Sequence, residues 1–340
     1  MSIKILSIET SCDDTCAALV ADGTNILSNV VFSQEKVHKI FGGVVPEVAS
    51  RKHLELINEV IWKALDEAGI DFNSLDAVGV TYGPGLAGAL LVGVAAAKAL
   101  AFALDLPLLA VNHIEGHLYA NYLGRDDFSF PVIGLVVSGG HTDLILIKNH
   151  GCYELIGRTR DDAAGEVFDK VARTLGLGYP GGPVIDRLSF GGNEDAVNFP
   201  RARLEEGTFD FSFSGLKTAV ANFYLKANQH GEKINLADLT ASFQKAVVDA
   251  LVEKTFQSAQ MYGAKTILMA GGVASNRRLR LFIKQKADEK GLIVSYPEPV
   301  LCTDNAAMIG CCAYYKYLRS DFAPYSLNAV PDLKLGENKY

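Results

Sequence analysis

Ile3-Lys4-Ile5-Leu6-Ser7-Ile8-Glu9-Thr10-Ser11-Cys12-Asp13-Asp14-Thr15-Cys16-Ala17-Ala18-Leu19-Val20 reads as two short apolar strands, 3–8 and 16–20, joined by a polar turn. Near mid-chain the plan recurs, with strand 132–137, the turn Ser138-Gly139-Gly140-His141-Thr142 and strand 143–147. A third strand follows each hairpin, near 26–32 and 153–156, and helix–strand alternation follows that. In the first half the pattern predicts helix 47–68, strand 77–81, helix 86–104, strand 107–111 and a short helix that begins at His113. In the second it predicts helices 162–175, 215–227 and 236–261, strand 266–270, helix 275–290, strand 292–296 and a last helix from Asp304.

Hairpins feeding β–α–β units make a mixed sheet covered by helices, and this chain makes it twice. The expectation is an α/β protein of two domains with duplicated mixed sheets, facing each other across a cleft. That is the plan of the actin, Hsp70 and sugar-kinase fold class. The first domain is expected over residues 1–130, completed by a C-terminal helix over 306–340, and the second over 131–305. At 340 residues, with 49% apolar and 21% charged side chains, the composition suits a soluble globular protein with two cores. A net charge of −7 supplies no global field for nucleic acid. Such contact would fall to a local patch, Arg201/Arg203 or Arg277/Arg278/Arg280, or to a partner's surface. Six cysteines without a CxxC pair fit a reduced compartment. The start carries Lys4 and runs into Glu9, which is no signal peptide. The one membrane-like stretch, 87–104, is rich in Ala and Gly and carries Lys98, so it reads as a buried core helix. A cytoplasmic location without membrane attachment is expected.

In Asn112-His113-Ile114-Glu115-Gly116-His117-Leu118-Tyr119 the i, i+4 spacing stacks two imidazoles on one helix face, which offers a metal two nitrogens at once. The expected buried stripe is Ile114, Leu118 and Tyr122; two polar-face histidines near a helix start are the alternative. A zinc protease needs Glu directly after the first His. Here that residue is Ile114, and Glu115 lies roughly 100° further round. Ser138-Gly139-Gly140 lets backbone N–H groups approach a phosphate, or is a plain hairpin turn. Ala270-Gly271-Gly272-Val273-Ala274-Ser275-Asn276 leads from strand to helix as adenosine-binding turns do, unless Ser275 or Asn276 is merely a cap. The Gly83-Pro84-Gly85-Leu86 loop also precedes a helix, and close packing explains its glycines equally well. Asp169 reads as an i, i+4 partner of Arg173. Gly182 and Pro183 lead into a helix whose dipole Asp186 would complement. Asp304 is placed as an N-cap and is equally an oriented metal ligand.

These runs, together with Ile8-Glu9-Thr10-Ser11-Cys12-Asp13-Asp14-Thr15, Gly42-Gly43-Val44-Val45-Pro46-Glu47 and Phe211-Ser212-Phe213-Ser214-Gly215-Leu216-Lys217-Thr218, occur in a distinctive order. The chain closely resembles the bacterial TsaD family of tRNA adenosine threonylcarbamoyltransferases over essentially its whole length. Relatives were once described as O-sialoglycoprotein endopeptidases, or glycoproteases. The resemblance implies transfer of a threonylcarbamoyl group from threonylcarbamoyl-AMP to N6 of the adenosine next to the anticodon, in tRNAs that read codons beginning with A (t6A formation). It implies that His113, His117 and Asp304 bind one divalent metal, iron or zinc. It further implies that Val136, Val137, Ser138, Gly139, Gly140, Asp169, Gly182, Asp186 and Asn276 hold the adenylate, where an ATP- or ADP-type nucleotide also fits. Implied partners are tRNA, a paralogous TsaB-like subunit, a small TsaE-like ATPase and an upstream synthase that supplies threonylcarbamoyl-AMP. Archaeal and eukaryotic relatives carry a Tyr metal ligand where Val136 stands, so coordination positions are expected to stay open here. Asp13-Asp14 stands where relatives often have Asp-Glu.

The implied donor is an activated mixed anhydride, and the acceptor amine is a poor nucleophile. Such a transfer needs positioning and oxyanion stabilisation. A metal with open sites would polarise the carbonyl or anchor the threonyl carboxylate. Asp13 or Asp14 is the candidate base for the amine proton. An anticodon loop is a single-stranded target that can be splayed open. Ile114 and the glycine loops weigh against a metallopeptidase. An actin-like ATPase or kinase has no evident use for two His and an Asp, and an inactive scaffold would not keep them.

Overall fold

The computed structural model describes all residues except Met1, Gly42, Asp126, Asp127, Arg203, Glu206, Lys339 and Tyr340. Gly42 of the Gly42-Gly43 run and Arg203 of the basic pair therefore lie outside the described residues. In chain order come β1 (Lys4–Glu9), β2 (Asp14–Ala21), β3 (Asn25–Ser33), α1 (Glu35–Lys39), α2 (Pro46–Ala68), β4 (Ala77–Gly83), α3 (Ala87–Leu104), β5 (Leu108–Asn112) and α4 (His113–Tyr119). There follow β6 (Val132–Val137), β7 (Thr142–Asn149), β8 (Cys152–Arg158), α5 (Ala164–Thr174), α6 (Gly181–Leu188), α7 (Ser214–Gln229), α8 (Leu236–Tyr262), β9 (Thr266–Ala270), α9 (Arg277–Lys290), β10 (Ile293–Ser295) and α10 (Ala306–Leu318).

One five-stranded sheet has the order β3-β2-β1-β4-β5 and the other β10-β9-β6-β7-β8. In each, an antiparallel hairpin (β1–β2, β6–β7) lies beside parallel strands, β4 next to β1 and β9 next to β6. The two orders are one order used twice, as the repeated hairpin pattern predicts. By contacts the chain forms two units, residues 1–127 with 299–340, and residues 128–298.

Within the first unit, α10 lies on the sheet and against α4. Small residues bring it close. A Cβ on Gly310 would sit 2.7 Å from Val20 Cγ2, and one on Gly116 would sit 2.6 Å from Ile309 Cδ1. The Ser7 hydroxyl donates to the Ala306 carbonyl at 2.7 Å and fixes where the helix begins. α10 stops at Leu318, short of the helix expected through 340, because Ser320 turns to φ 56° and Pro324 follows. Residues 319–338 are fastened without helix: Ala323 N–H to Leu108 O (2.8 Å), Val330 N–H to Tyr82 O (2.7 Å) and Asn112 Nδ2 to Lys334 O (3.2 Å). The Val330 carbonyl occupies the place a Cβ on Gly83 would need, so close packing explains that glycine.

α3 is the one helix long and apolar enough to cross a membrane among the described residues, yet 33% of it is buried. It covers the sheet with one face and leaves Leu91 and Phe102 exposed, rather than being core throughout. Lys98 reaches the Leu327 carbonyl at 3.0 Å. None of the six cysteines is joined in a disulfide.

Candidate functional site

The Asn112 side chain accepts from the N–H groups of Ile114 (2.9 Å) and Glu115 (3.3 Å) and starts α4. All of α4 is buried, with no exposed face, because α10 covers the side that the sequence leaves for solvent. His113 and His117 are thereby only 9% and 4% exposed. Their Nε2 atoms lie 3.5 and 3.2 Å from one oxygen of Asp304, Oδ1.

Asp304 is not the cap of α10. Asn305 is, accepting from Met308 N–H at 3.0 Å and donating to the carbonyls of Thr303 (2.8 Å) and Leu301 (3.3 Å). Asn305 shapes the turn, and Asp304 presents its carboxylate to the two imidazoles. Donor atoms of the three residues lie within 4.8 Å of one another, so they can hold a metal ion. Tetrahedral ligands about 2.1 Å from one ion stand about 3.4 Å apart. The two histidine–Asp304 separations match, and two neutral nitrogens with one carboxylate suit zinc or ferrous iron.

The sequence reading passed over Glu9, which is fully buried at the end of β1. Its Oε1 accepts from Ser11 N–H at 2.5 Å, and its Oε2 from Thr81 Oγ1 at 2.5 Å. Oε2 also lies 3.1 Å from His113 Nδ1. A carboxylate ending an otherwise apolar buried strand was the available signal, since such a group must be paired. Burial opposes charge on His113, but Glu9 and Asp304 outweigh it and push its pKa up to about 9. Burial would likewise raise Glu9, yet His113 and its hydrogen bonds hold it below the usual carboxylate range.

The acidic turn ends where β2 begins, at Asp14. Burial first, then the charges of Asp304, Asp13 and Glu9, push the Asp14 pKa up to about 7 against a hydrogen bond from Ser33. Its Oδ1 is buried without a hydrogen-bond partner. His53 steadies the turn, with Nε2 3.0 Å from Cys12 O and Nδ1 2.8 Å from Thr15 Oγ1.

In the second unit, Val136 and Val137 are fully buried within β6, and Ser138–Gly140 form the turn beyond it. Ser138 Oγ accepts from the N–H groups of Gly140 (3.3 Å) and His141 (3.0 Å), and Ser138 N–H donates to His141 O at 2.9 Å. The turn therefore satisfies most of its own donors, and Gly139 N–H is the one without a partner among its described residues. Gly165, also missed, packs on it: a Cβ there would meet Ser138 O at 2.6 Å. On the other side Gly271, at φ 86°, lets the loop after β9 pass against the Val137 carbonyl.

Asp169 makes no ion pair with Arg173. Its Oδ1 accepts from Gly181 N–H at 2.7 Å, at the start of α6, where Gly182 also donates to it. Burial raises its pKa against those two hydrogen bonds and the more distant charge of Arg173. Asp186 sits in the second turn of α6, too far along to complement the dipole, and its Oδ2 accepts from Arg277 Nε at 2.9 Å. Asn276 is the N-cap of α9, accepting from Leu279 N–H and donating to Gln244 Oε1, both at 2.9 Å. Ser275 does not cap; its hydroxyl donates to Gly272 O. The arginine patches are largely neutralised: Arg201 pairs with Asp249, Arg277 with Asp186 and Arg278 with Glu194, while Arg280 donates to carbonyls.

Residues 25–311 match the family described as TsaD: tRNA N6-adenosine threonylcarbamoyltransferase. A tRNA N6-adenosine threonylcarbamoyltransferase of Moorella thermoacetica is 57% identical over 98% of this chain and 97% of its own length. One of Clostridium perfringens is 55% identical over 98% of each. A full-length HypF in a phosphate- and nucleotide-bound form superposes with TM-score 0.63 at 15% identity, over 93% of this chain and 46% of that one. This last likeness is one of fold, and agrees with the actin, Hsp70 and sugar-kinase class. With its family motifs in order from the first strand to α10 and its relatives matched almost end to end, the chain belongs to the TsaD family, the tRNA N6-adenosine threonylcarbamoyltransferases.

Proposed function

We propose that this chain transfers a threonylcarbamoyl group from threonylcarbamoyl-AMP to N6 of the adenosine next to the anticodon, in tRNAs that read codons beginning with A. The observation that carries this is the convergence of His113, His117 and Asp304 in a chain with end-to-end relatives of that name. His113 and His117 through Nε2, and Asp304 through Oδ1, would hold one divalent ion, iron or zinc. When bound, that ion supplies Lewis-acid polarisation of the carbonyl or an anchor for the threonyl carboxylate. Ser138–Gly140 receives the phosphate once Ser138 Oγ yields its internal hydrogen bonds. Asp169, Gly182, Asp186 and Asn276 frame the rest of the adenylate, and an ATP- or ADP-type nucleotide competes there. Val136 and Val137 act as the rigid strand beneath the turn. Asp14, with an unpaired oxygen and a pKa near the working pH, takes the amine proton in preference to Asp13. The proposed domains follow the two units, with the return to the first at residue 299 rather than 306.

The reading includes a cytoplasmic setting, a TsaB-like subunit, a TsaE-like ATPase and an upstream threonylcarbamoyl-AMP synthase. The acidic net charge and the paired arginines favour tRNA binding shared with partners. Mass spectrometry of tRNA nucleosides after depletion of the protein tests the whole proposal: t6A should fall while other modified nucleosides persist, and an unchanged t6A level would refute it.

Gly140→Val tests the phosphate turn. A Cβ at Gly140 meets nothing within 4 Å and φ is not positive, so the position has room for a side chain. Stability should stay within about 0.5 kcal/mol of wild type, while affinity for a threonylcarbamoyl-AMP analogue falls because the side chain blocks the phosphate. An unchanged dissociation constant would remove the turn from the binding site.

A further inference from the structure

Glu9 has no part in the chemistry proposed above, yet it is the most constrained carboxylate in the first unit. Both its oxygens accept: Oε1 from Ser11 N–H, Oε2 from the Thr81 hydroxyl, and Oε2 again lies 3.1 Å from His113 Nδ1. An ionised carboxylate offers no donor, so a proton shared by Glu9 and the neutral imidazole resides on Nδ1. That leaves the lone pair on Nε2, the atom 3.5 Å from Asp304 Oδ1. We infer that Glu9 is a positioning residue for the metal centre: it holds His113 in the Nδ1–H tautomer, with the Nε2 lone pair turned toward Asp304 and His117. This rests on the metal reading of His113, His117 and Asp304. Ser11 Oγ also lies 3.1 Å from Nδ1, but a hydroxyl donates or accepts and so does not select a tautomer.

The competing role is a lock that only fastens the Ser11 and Thr81 segments, and Glu9→Gln separates the two. A carboxamide has a single accepting oxygen, which the Ser11 N–H claims. Its NH2 group then faces Thr81 and His113 and can only donate. Ser11 Oγ fits either tautomer, so the NH2 decides: His113 Nδ1 accepts, its proton moves to Nε2, and the metal loses that lone pair. Side-chain volume is unchanged, and the two neighbouring segments keep hydrogen-bond partners.

Zinc affinity of the full-length chain, measured by competition with a chelator, should fall about 10–100-fold in Glu9→Gln. Ring 15N shifts of His113, read without metal at a pH high enough to leave the imidazole neutral, should show Nδ1–H in wild type and Nε2–H in the variant. Thr81→Val removes a different donor to the same carboxylate and should preserve both readouts. Wild-type affinity in Glu9→Gln, or an equal loss in Thr81→Val, would overturn the positioning role. An Nε2–H ring in wild type would do so as well, and needs no variant to fold. Failure of the metal reading looks different: wild-type zinc affinity would then be unaffected by His117→Ala.

Discussion

Asp304→Asn is expected to strip the centre of its metal while leaving the metal-free protein almost as stable as wild type. The helix cap belongs to Asn305, so the substitution costs α10 no capping hydrogen bond. What it removes is the one negative charge among three donors, the others being neutral imidazoles when they ligate. Loss of an outer partner typically costs about 10–100-fold in metal affinity, and loss of a charged ligand should exceed that. Unfolding free energy with chelator present should change by no more than about 0.5 kcal/mol. Metal content and urea unfolding on one preparation decide the matter. Full occupancy with unimpaired transfer would refute the ligand assignment.

Asp14→Asn should raise stability above neutral pH and still cost most of the activity. The folded-state pKa of about 7 lies above the ordinary carboxylate value of 3.8, so the native protein holds a proton there that the unfolded chain releases. The resulting penalty is absent at low pH, grows as pH rises from about 4 to 7, and is complete above that. Replacing the charge with a neutral amide should therefore stabilise the protein at pH 8 by about 1–3 kcal/mol, the usual cost of an unsatisfied buried group. Near pH 4 the gain should vanish. Transfer rate should fall by about 100-fold or more if Asp14 takes the amine proton. Unfolding curves at the two pH values, beside single-turnover rates, check both arms. A stabilisation independent of pH would remove the buried-charge explanation, and retained turnover would remove the base.

The duplicated sheets were legible because each rests on short-range signals, a strand's apolar run and a turn's polar residues, repeated in one order. The burial of α4 was not legible. Its cover is α10, from the far end of the chain, and a histidine helix with one apolar stripe looks the same alone whether or not another helix lies over it. The Asp304–Asn305 ambiguity was a matter of one residue between two good caps, which local sequence cannot resolve. Asp169 shows a distant partner prevailing over a near one. Arg173 is four places along the same helix, but the bare N–H groups at the start of α6 take the carboxylate. For the Ser138 turn the sequence leaves phosphate-ready donors and a plain hairpin turn both open, because the hydroxyl that occupies the donors is visible only as geometry. Gly165 went unnoticed for the same reason: nothing beside it in sequence reveals that a carbonyl lies where its Cβ would be.

The interruption of the first unit by residues 128–298 governs the order in which a ribosome can complete it. β1 to β5 and both histidines emerge early, with one sheet face and α4 still lacking the helix that covers them. Asp304 and α10 arrive only after the whole second unit has been made. A nascent chain stalled before residue 299 thus presents two of the three donors and cannot hold the ion as the finished protein would, and its uncovered apolar face is a surface for chaperones or for aggregation. If His113, His117 and Asp304 hold an ion as proposed, its acquisition is a late event that waits for Asp304 and α10.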